Sequence, residues 1–332
     1  MPLWTEMDPG NLTGYAREAL RDAVSGNNGL PDPLVDVLPY VEQAGTTVEF
    51  IKGENGNVPL AQWRAFDAEP AHVGGEQGEE IVAKMAPLSS QQKITESDQL
   101  RLRTAGEDVR TAIVQNAAAN GARGIVAATR MVQGQVLATG RLSIRQIDFK
   151  STVDYGRAAN LTATAPLLWS ADGAKPLDDV RAHAELIETE GGIMPSEVFM
   201  SRQALNLFLS SEQAKAEFGV QRALTLDEAQ GRFGALGLPT IRVYEGRTAA
   251  GRVLPADSLV FAAGGGQSGA TVFGQTLASS LPEYGLAAVE QPGIVAGVFI
   301  NDGIPPAAHV YVDSLVLPVL IQPNTTGALK VL

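Results

Sequence analysis

Hydrophobic residues between positions 107 and 139 recur every three or four residues, which is the spacing of one face of an α-helix. The members of this face are Val109, Ile113, Ala117, Ile125, Ala128, Val132 and Val136. At 1.5 Å per residue, about 30 residues make a rod of about 45 Å, longer than most helices of globular proteins. Gly121 and Gly124 predict a break in this helix, and Gly140 is placed to end it as a C-cap.

Shorter patterns along the rest of the chain alternate between helix and strand, which indicates an α+β protein. Helical spacing predicts helices over residues 11–24, 176–190 and 202–218. Period-two or continuous apolar runs predict strands over residues 46–52, 141–156 (a strand pair), 196–201, 239–246, 257–265 and 307–323. The proline-punctuated residues 30–45 are predicted to be extended.

One long segment has no core pattern. From Gly53 to about Gln92 the chain contains "GENGN", "HVGGEQGEE" and "KMAPLSSQQ", without a sustained period of either kind. About 40 such residues are unusual inside a compact domain. The segment is therefore predicted to be disordered, to act as a lid, or to be an arm that packs on something else.

Composition narrows the possible functions. The 332 residues are 45% hydrophobic and 19% charged, the balance of a folded chain. The net charge of −12 argues against a groove that neutralises phosphates, because such a groove needs clustered Lys and Arg. Without cysteine the chain has neither disulfides nor thiolate metal sites. No apolar run approaches 18 residues and the N-terminus does not resemble a signal peptide, so we expect no membrane partner.

Candidate chemistry is sparse. His72, His183 and His309 are scattered and show no metal-ligand spacing. The glycine-rich "GGGQSG" at 264–269 is the nearest approach to a phosphate loop, but it lacks the following Lys and no helix is predicted to start on it. A flexible loop is the better interpretation. A small soluble α/β enzyme using this loop remains the alternative from another functional class.

Two pairs of acids are candidates for catalytic carboxylates. Asp178 and Asp179, and likewise Asp227 and Glu228, are adjacent in the sequence, so their side chains point to different faces of a helix. Acids near a helix start favour the helix dipole, and capping is the simpler role. The sequence therefore predicts no catalytic, cofactor-binding or metal-binding residue, no cofactor and no enzymatic activity.

In their order along the chain, several stretches resemble the tailed-bacteriophage major capsid proteins of the lambda coat protein E type, which have the Hong Kong 97 fold. Residues 72–97 resemble the descending part of that family's extended loop, and residues 107–140 its long spine helix. Residues 313–332 resemble its closing strands. The stretch "VDYGRAANLTATAPLLWS" is similar to its strand, Gly-Arg corner and polar run, with the matching residues Asp154, Gly156, Arg157, Asn160, Trp169 and Ser170.

The resemblance implies a domain organisation. It comprises an N-terminal arm (1–45), an extended loop (46–96), a peripheral domain with the spine helix (97–165), an axial domain (166–300) and C-terminal strands returning to the peripheral domain (301–332). It also implies that the strand and the Gly156–Arg157 corner belong to the peripheral domain and that the chain then crosses into the axial domain. We expect this crossing to be flexible. Arg157 is expected either to be solvated or to form a salt bridge with a carboxylate, within the subunit or across to a neighbouring one.

The resemblance further implies a head protein that assembles into hexamers and pentamers, forming an icosahedral shell around double-stranded DNA. Expected partners are the chain itself, a scaffolding protein, a portal and a decoration protein. The expected location is the virion, after assembly in the host cytoplasm. An encapsulin-like compartment shell shares the fold and is the alternative. Some shells of this fold are cross-linked covalently, for which Lys52, Lys84 or Lys93 with Asn301 or Asn324 are candidates, but the lambda type implies a non-covalent shell.

Overall fold

The computed structural model describes residues 9–25, 32–52, 79–95, 97–98, 107–145, 150–276, 293–301 and 307–332. The helices are α1 (Pro9–Ser25), α2 (Pro33–Val37), α3 (Glu107–Thr139), α4 (Pro176–Gly191), α5 (Arg202–Ser210), α6 (Glu212–Phe218) and α7 (Leu226–Ala235). Short 3₁₀ turns lie at Ala159–Leu161 and Pro323–Thr325.

The strands fall into two five-stranded sheets and three two-stranded ribbons within these ranges. They are β1 (Tyr40–Glu42), β2 (Thr47–Lys52), β3 (Glu79–Lys84), β4 (Ala86–Ile94), β5 (Arg141–Arg145), β6 (Lys150–Asp154), β7 (Thr162–Thr164), β8 (Glu197–Met200), β9 (Thr240–Val243), β10 (Arg247–Thr248), β11 (Gly251–Arg252), β12 (Ser258–Ala262), β13 (Gly269–Gly274), β14 (Val295–Asn301), β15 (Ala307–Leu320) and β16 (Gly327–Lys330).

The first sheet is built around the 14-residue strand β15. Strands β13 and β14 pair end to end along one edge of β15, and β4 pairs along its other edge; β1 adds in parallel to β13. Helices α1 and α3 pack on this sheet through alternate residues of β15 such as Val310 and Val312. Burying these apolar side chains between helix and sheet forms one core of the protein.

The predicted bounds of the long helix are confirmed, since α3 runs for 33 residues from Glu107 to Thr139. The predicted break within α3 is wrong. Gly121 packs against Val312 of β15, and Gly124 faces open space, so neither interrupts the helix. Gly140 is confirmed as its C-cap: φ is +68°, and its N–H donates to the Val136 carbonyl at 2.8 Å.

The second sheet has the order β7-β16-β12-β8-β9. Helices α4, α5 and α7 contribute side chains to the core beside it, including Val180, Phe208 and Phe233. The strands predicted over 196–201, 239–246 and 257–265 are confirmed as β8, β9 and β12. The chain therefore contains two sheets with separate cores, and a third group of buried residues links them.

Residues 30–45 were predicted to be extended, which is wrong for 33–37. Asp32 caps α2, because its Oδ1 accepts from the Leu34 N–H at 3.0 Å. Leu34, Val37 and Leu38 are completely buried among side chains from both sheets. Residues 34–38 therefore contribute to the core, and β1 joins the first sheet.

The segment 53–92 was predicted to be irregular, and its residues from Glu79 onward correct that prediction. They form β3, which pairs with β2, and β4, which pairs with β15 over nine residues. The sequence of β4 is rich in Ser and Gln and shows no strand pattern, because this segment becomes a strand by pairing with β15, more than 200 residues away. Residues 53–78 lie outside the described ranges.

One further prediction needs correction. Residues 202–218 form two helices rather than one, since Ser211 is extended (φ −64°, ψ 146°) and its hydroxyl caps α6 by accepting from the Ala214 N–H. The C-terminal strands do not stay together. β15 lies in the first sheet, whereas β16 pairs with β7 and β12 in the second.

Candidate functional site

The two sheets are connected where α3 ends, and this is where the Gly-Arg corner lies. We call residues 137–140 and 154–161 the junction. Strand β6 delivers the chain to it, since Asp154 ends that strand opposite Arg141. Gly156 turns the chain with φ at +78°, a conformation that favours glycine. The Asp154 carboxylate accepts from the Gly156 N–H at 2.9 Å and fixes the turn.

Tyr155 anchors the junction to the first sheet. Its side chain is completely buried, and its hydroxyl donates to the Pro318 carbonyl in β15. Its ring lies 5.3 Å from that of Phe50, at the base of the β2–β3 ribbon. Burial raises the pKa of Tyr155 well above its usual value, so the hydroxyl remains a donor at every physiological pH.

Arg157 caps the C-terminal end of α3. Its Nη1 donates to the Leu137 carbonyl at 2.7 Å and its Nη2 to the Ala138 carbonyl at 2.8 Å. These carbonyls belong to the last turn of α3, where C=O groups have no N–H partner within the helix. The negative end of the helix dipole lies at the same place. Nη2 also donates to Thr162 Oγ1 of β7 at 2.7 Å, and Nη1 lies 3.5 Å from Thr326 Oγ1.

Within the subunit, neither the solvated arginine nor the salt bridge is observed, and a salt bridge to a neighbouring subunit stays a prediction. None of these four acceptors is a carboxylate, and the guanidinium is part-buried rather than solvated. Burial lowers the pKa of Arg157 to about 10, which leaves the group charged at neutral pH. Gly140 makes the contact possible, because a Cβ at Gly140 would lie 2.8 Å from Cβ of Arg157.

The crossing that follows was expected to be flexible, but hydrogen bonds hold it against the C-terminal segment. The Ala158 N–H donates to Asn324 Oδ1 at 2.8 Å, and the Ala165 N–H donates to the Lys330 carbonyl at 2.8 Å. The Trp169 N–H donates to the Val331 carbonyl at 2.8 Å. Asn324, a candidate cross-link acceptor, is buried with its amide oxygen already engaged.

Trp169 completes the crossing by anchoring it to the second core. The indole packs 6.0 Å from the ring of Phe208, and its Nε1–H donates to Asp179 Oδ2 at 3.0 Å. Asp179 thus orients a buried tryptophan from the first turn of α4, while Asp178 lies 3.9 Å from Arg181. The pair Asp178 and Asp179 is structural in this arrangement.

His183 is the titratable group enclosed beside the junction. It lies in α4, 5.0 Å from the ring of Phe261, and a Cβ at Gly327 would lie 2.9 Å from its Nε2. Burial, with a smaller contribution from the charge of Arg157, lowers the pKa of His183 to about 4, against the opposing effect of a hydrogen bond to the Leu161 backbone. A proton on Nε2 would therefore place a second positive charge beside Arg157.

This burial predicts acid sensitivity. The folded pKa of about 4 lies below the unfolded value of about 6.5, so the unfolded chain binds the proton first as the pH falls. Stability is complete above pH 6.5 and falls by about 3 kcal/mol as the pH approaches 4. Urea unfolding of His183→Gln should lack that decrease; a variant whose free energy of unfolding runs parallel to that of the wild type from pH 7 to 4 would contradict the assignment.

The glycine-rich turn at 264–269 is closed by the protein itself. The Gly264 N–H donates to Ser196 Oγ at 2.7 Å, and the Gly265 N–H to Asp36 Oδ2 at 3.3 Å. The Gly266 N–H donates to the Asp36 carbonyl at 2.9 Å. Strand β13, rather than a helix, begins at Gly269. The Asp36 carboxylate thus takes the place that a phosphate would take in a phosphate-binding loop. Hydrogen bonds to Ser196 and Asp36 hold the loop in position, so the interpretation as a flexible loop is not supported.

The remaining candidates do not come together. His183 belongs to α4 and His309 to β15, where His309 stacks on Phe299 at 5.1 Å; His72 lies outside the described residues. Across the described ranges no cluster of three His, Cys, Asp or Glu could hold a metal ion. Glu228 caps α7 with Thr225, and its hydrogen bonds with Arg222 and Thr225 lower its pKa to about 2.

The sequence matches one known protein family over most of its length. The sequence profile described as "Phage major capsid protein E" matches residues 34–331, nearly the whole chain. The chain belongs to the phage major capsid protein E family. The matched region contains both sheets, the long helix and the junction of this capsid protein; α1 lies before it, and α2 begins one residue before it. We found no match among curated proteins.

Solved structures share the capsid protein's fold. A prophage protein of E. coli CFT073, described as a capsid protein, is similar with a TM-score of 0.64 at 16% identity, covering 98% of this chain and 99% of its own. A phage-related protein from Bordetella bronchiseptica RB50 is similar with a TM-score of 0.59 at 13% identity, covering 96% and 95%. The predicted α+β fold of the Hong Kong 97 type is thereby confirmed.

Within the described residues no helix is long and apolar enough to cross a membrane.

Proposed function

We propose that this capsid protein is the structural subunit of a closed icosahedral shell, in which copies form hexamers and pentamers around double-stranded DNA. The observation that carries the proposal is the family match over residues 34–331. Closed shells repeat one set of contacts around cyclic axes, so the subunit must offer different surfaces on different sides. Its work is mechanical, without catalysis or a cofactor.

The two-sheet architecture supports a division of the subunit into two domains. The first sheet with α1 and α3 corresponds to a peripheral domain, and the second sheet with α4–α7 to an axial domain. The β2–β3 ribbon forms the base of the extended loop, and Phe50 fixes that base against Tyr155. We place β16 with the axial domain, because it pairs with β7 and β12.

The negative net charge of the subunit is consistent with a shell that encloses DNA without binding it tightly. A chain of net charge −12 repels a polyanion, so DNA can be packed densely without adhering to the wall. We propose a virion location after assembly in the host cytoplasm, with scaffolding protein, portal and a decoration protein as further partners. The identity of these partners rests on the family alone.

Negative-stain microscopy of the purified protein, followed by extraction of nucleic acid from any particles, tests the proposal. Uniform shells or capsomers are expected from the recombinant chain, and nuclease-protected double-stranded DNA from particles of infected cells. Monomers or small oligomers only would contradict a shell subunit. Shells that enclose a protein cargo in place of DNA would favour the encapsulin-like alternative.

A further inference from the structure

An uncharged stretch runs along one edge of the second sheet. Residues 158–171 contain no Asp, Glu, Lys or Arg, although 19% of the chain is charged. The stretch includes β7, an edge strand of that sheet, which pairs only with β16 among the described residues. Thr162 and Thr164 of β7 are exposed, and so are the three consecutive residues Pro166, Leu167 and Leu168. We call Thr162–Thr164 and Pro166–Leu168 the edge patch.

The edge patch holds two large apolar side chains in water. Leu167 is 43% exposed and Leu168 is 37% exposed. Their backbone is fixed on both sides, by the hydrogen bond of Ala165 to Lys330 and that of Trp169 to Val331. The following Trp169 is buried in the core. A side chain displayed from fixed backbone loses little further entropy on binding, which favours its use as a contact.

The net charge of the chain and the lack of charged residues in the edge patch indicate which kind of molecule covers the patch. Two copies of a chain with net charge −12 repel each other, and that repulsion is weakest where neither surface carries a charged group. The nearest cations are already engaged: Arg157 binds Thr162 and two carbonyls of α3. Lys330, opposite Thr164, lies 3.2 Å from Asp257. A nucleic acid would therefore gain little here. An apolar surface without charges therefore suits a protein neighbour, and in a shell the neighbour at every edge is another copy.

We propose that the edge patch is a contact between copies of this chain, with Leu167 and Leu168 buried against the neighbouring subunit. The inference rests on the proposed function and names one of its self-association surfaces. Strand addition is not the mode of contact, because β7 has only three residues. Burial of the leucine side chains stabilises the contact instead.

The absence of native cysteine allows a direct test. Leu168→Cys is labelled with a maleimide in dissociated subunits and in assembled particles. Leu236→Cys is the matched control, since Leu236 has almost the same exposure (36%) but lies next to α7, away from β7 in the sheet order. We expect labelling at position 168 to slow by roughly tenfold or more on assembly, because a buried thiol is inaccessible to the reagent, and labelling at 236 to change little.

The outcomes separate the inference from the proposed function. If particles form and positions 168 and 236 react equally fast within them, or are protected equally, the edge patch is not the contact and the inference fails while the shell stands. If the wild-type chain forms no particles at all, the proposed function itself fails. As a second variant, Leu167→Asp with Leu168→Asp should prevent particle formation while the subunit keeps its thermal unfolding temperature; normal particle yield from that variant would overturn the inference.

Discussion

Replacing Gly134 with alanine is expected to destabilise the capsid protein strongly. Gly134 lies inside α3 and is buried where the helix passes the β10–β11 hairpin. A Cβ at this position would lie 2.1 Å from the carbonyl oxygen of Val253 and 2.9 Å from its carbonyl carbon. Because the obstruction is backbone, it cannot be relieved by turning a side chain. Overpacking of this kind costs about 1–3 kcal/mol or more.

Gly124→Ala provides the matched control in the same helix. A Cβ there meets nothing within 4 Å, and the position is exposed. Alanine has the higher helix propensity, so this variant should gain up to about 1 kcal/mol. Thermal unfolding of the two variants should therefore shift in opposite directions. Equal shifts, or a stabilised Gly134→Ala, would show that α3 does not pass this close to Val253.

The second large effect is expected from Arg157→Lys. Lysine keeps the charge but cannot reach Leu137, Ala138 and Thr162 together, because it has one ammonium group in place of a planar fork. Two carbonyls at the end of α3 then lose a charged donor, which costs about 1–3 kcal/mol. The isolated subunit should unfold at a lower temperature, and particle yield should fall because the link that Arg157 makes between the end of α3 and β7 of the second sheet is lost.

Arg141→Lys is the appropriate control for that measurement. Arg141 forms an ion pair with Asp154 at 3.0 Å, near the junction but with 66% of its side chain exposed. A surface pair contributes about 0–1 kcal/mol, so this variant should unfold nearly as the wild type does. If Arg157→Lys unfolds at the wild-type temperature as well, the helix-capping role of Arg157 is wrong.

The long helix was the most predictable element. Ala117, Ile125 and Val136 of the predicted face are buried, whereas Val109 and Ile113 are exposed. The periodicity therefore located the helix, and Gly140 marked its C-terminal end. The predicted break failed because a glycine weakens a helix only slightly in isolation. Packing of Gly121 against Val312, whose position in the fold is invisible in the sequence, outweighs that weakness.

Elements that depend on distant partners were the least predictable. Strand β4 has few apolar residues and becomes a strand by pairing with β15. The helix α2 is only five residues long, but Asp32 and Asp36 hold it in place: Asp32 lies 2.9 Å from Arg130 of α3, and Asp36 binds the glycine-rich turn. Neither contact has a local signal in the sequence.

The junction shows the same limit for a single side chain. The sequence located the Gly-Arg corner correctly through its resemblance to capsid proteins. It could not supply the acceptors of Arg157, which lie 19 and 20 residues before it and up to 169 residues after it. The hypotheses for Arg157 considered water and carboxylates, the usual partners of arginine, whereas the end of α3 offers backbone carbonyls.

Sedimentation velocity of the purified wild-type chain tests the central claim, that this protein is a self-assembling shell subunit. The account predicts a fast, narrow boundary from particles containing many copies, in equilibrium with capsomers and with little free 34.9 kDa chain. A single slow boundary at the mass of the monomer, unchanged by concentration and by salt, would contradict it.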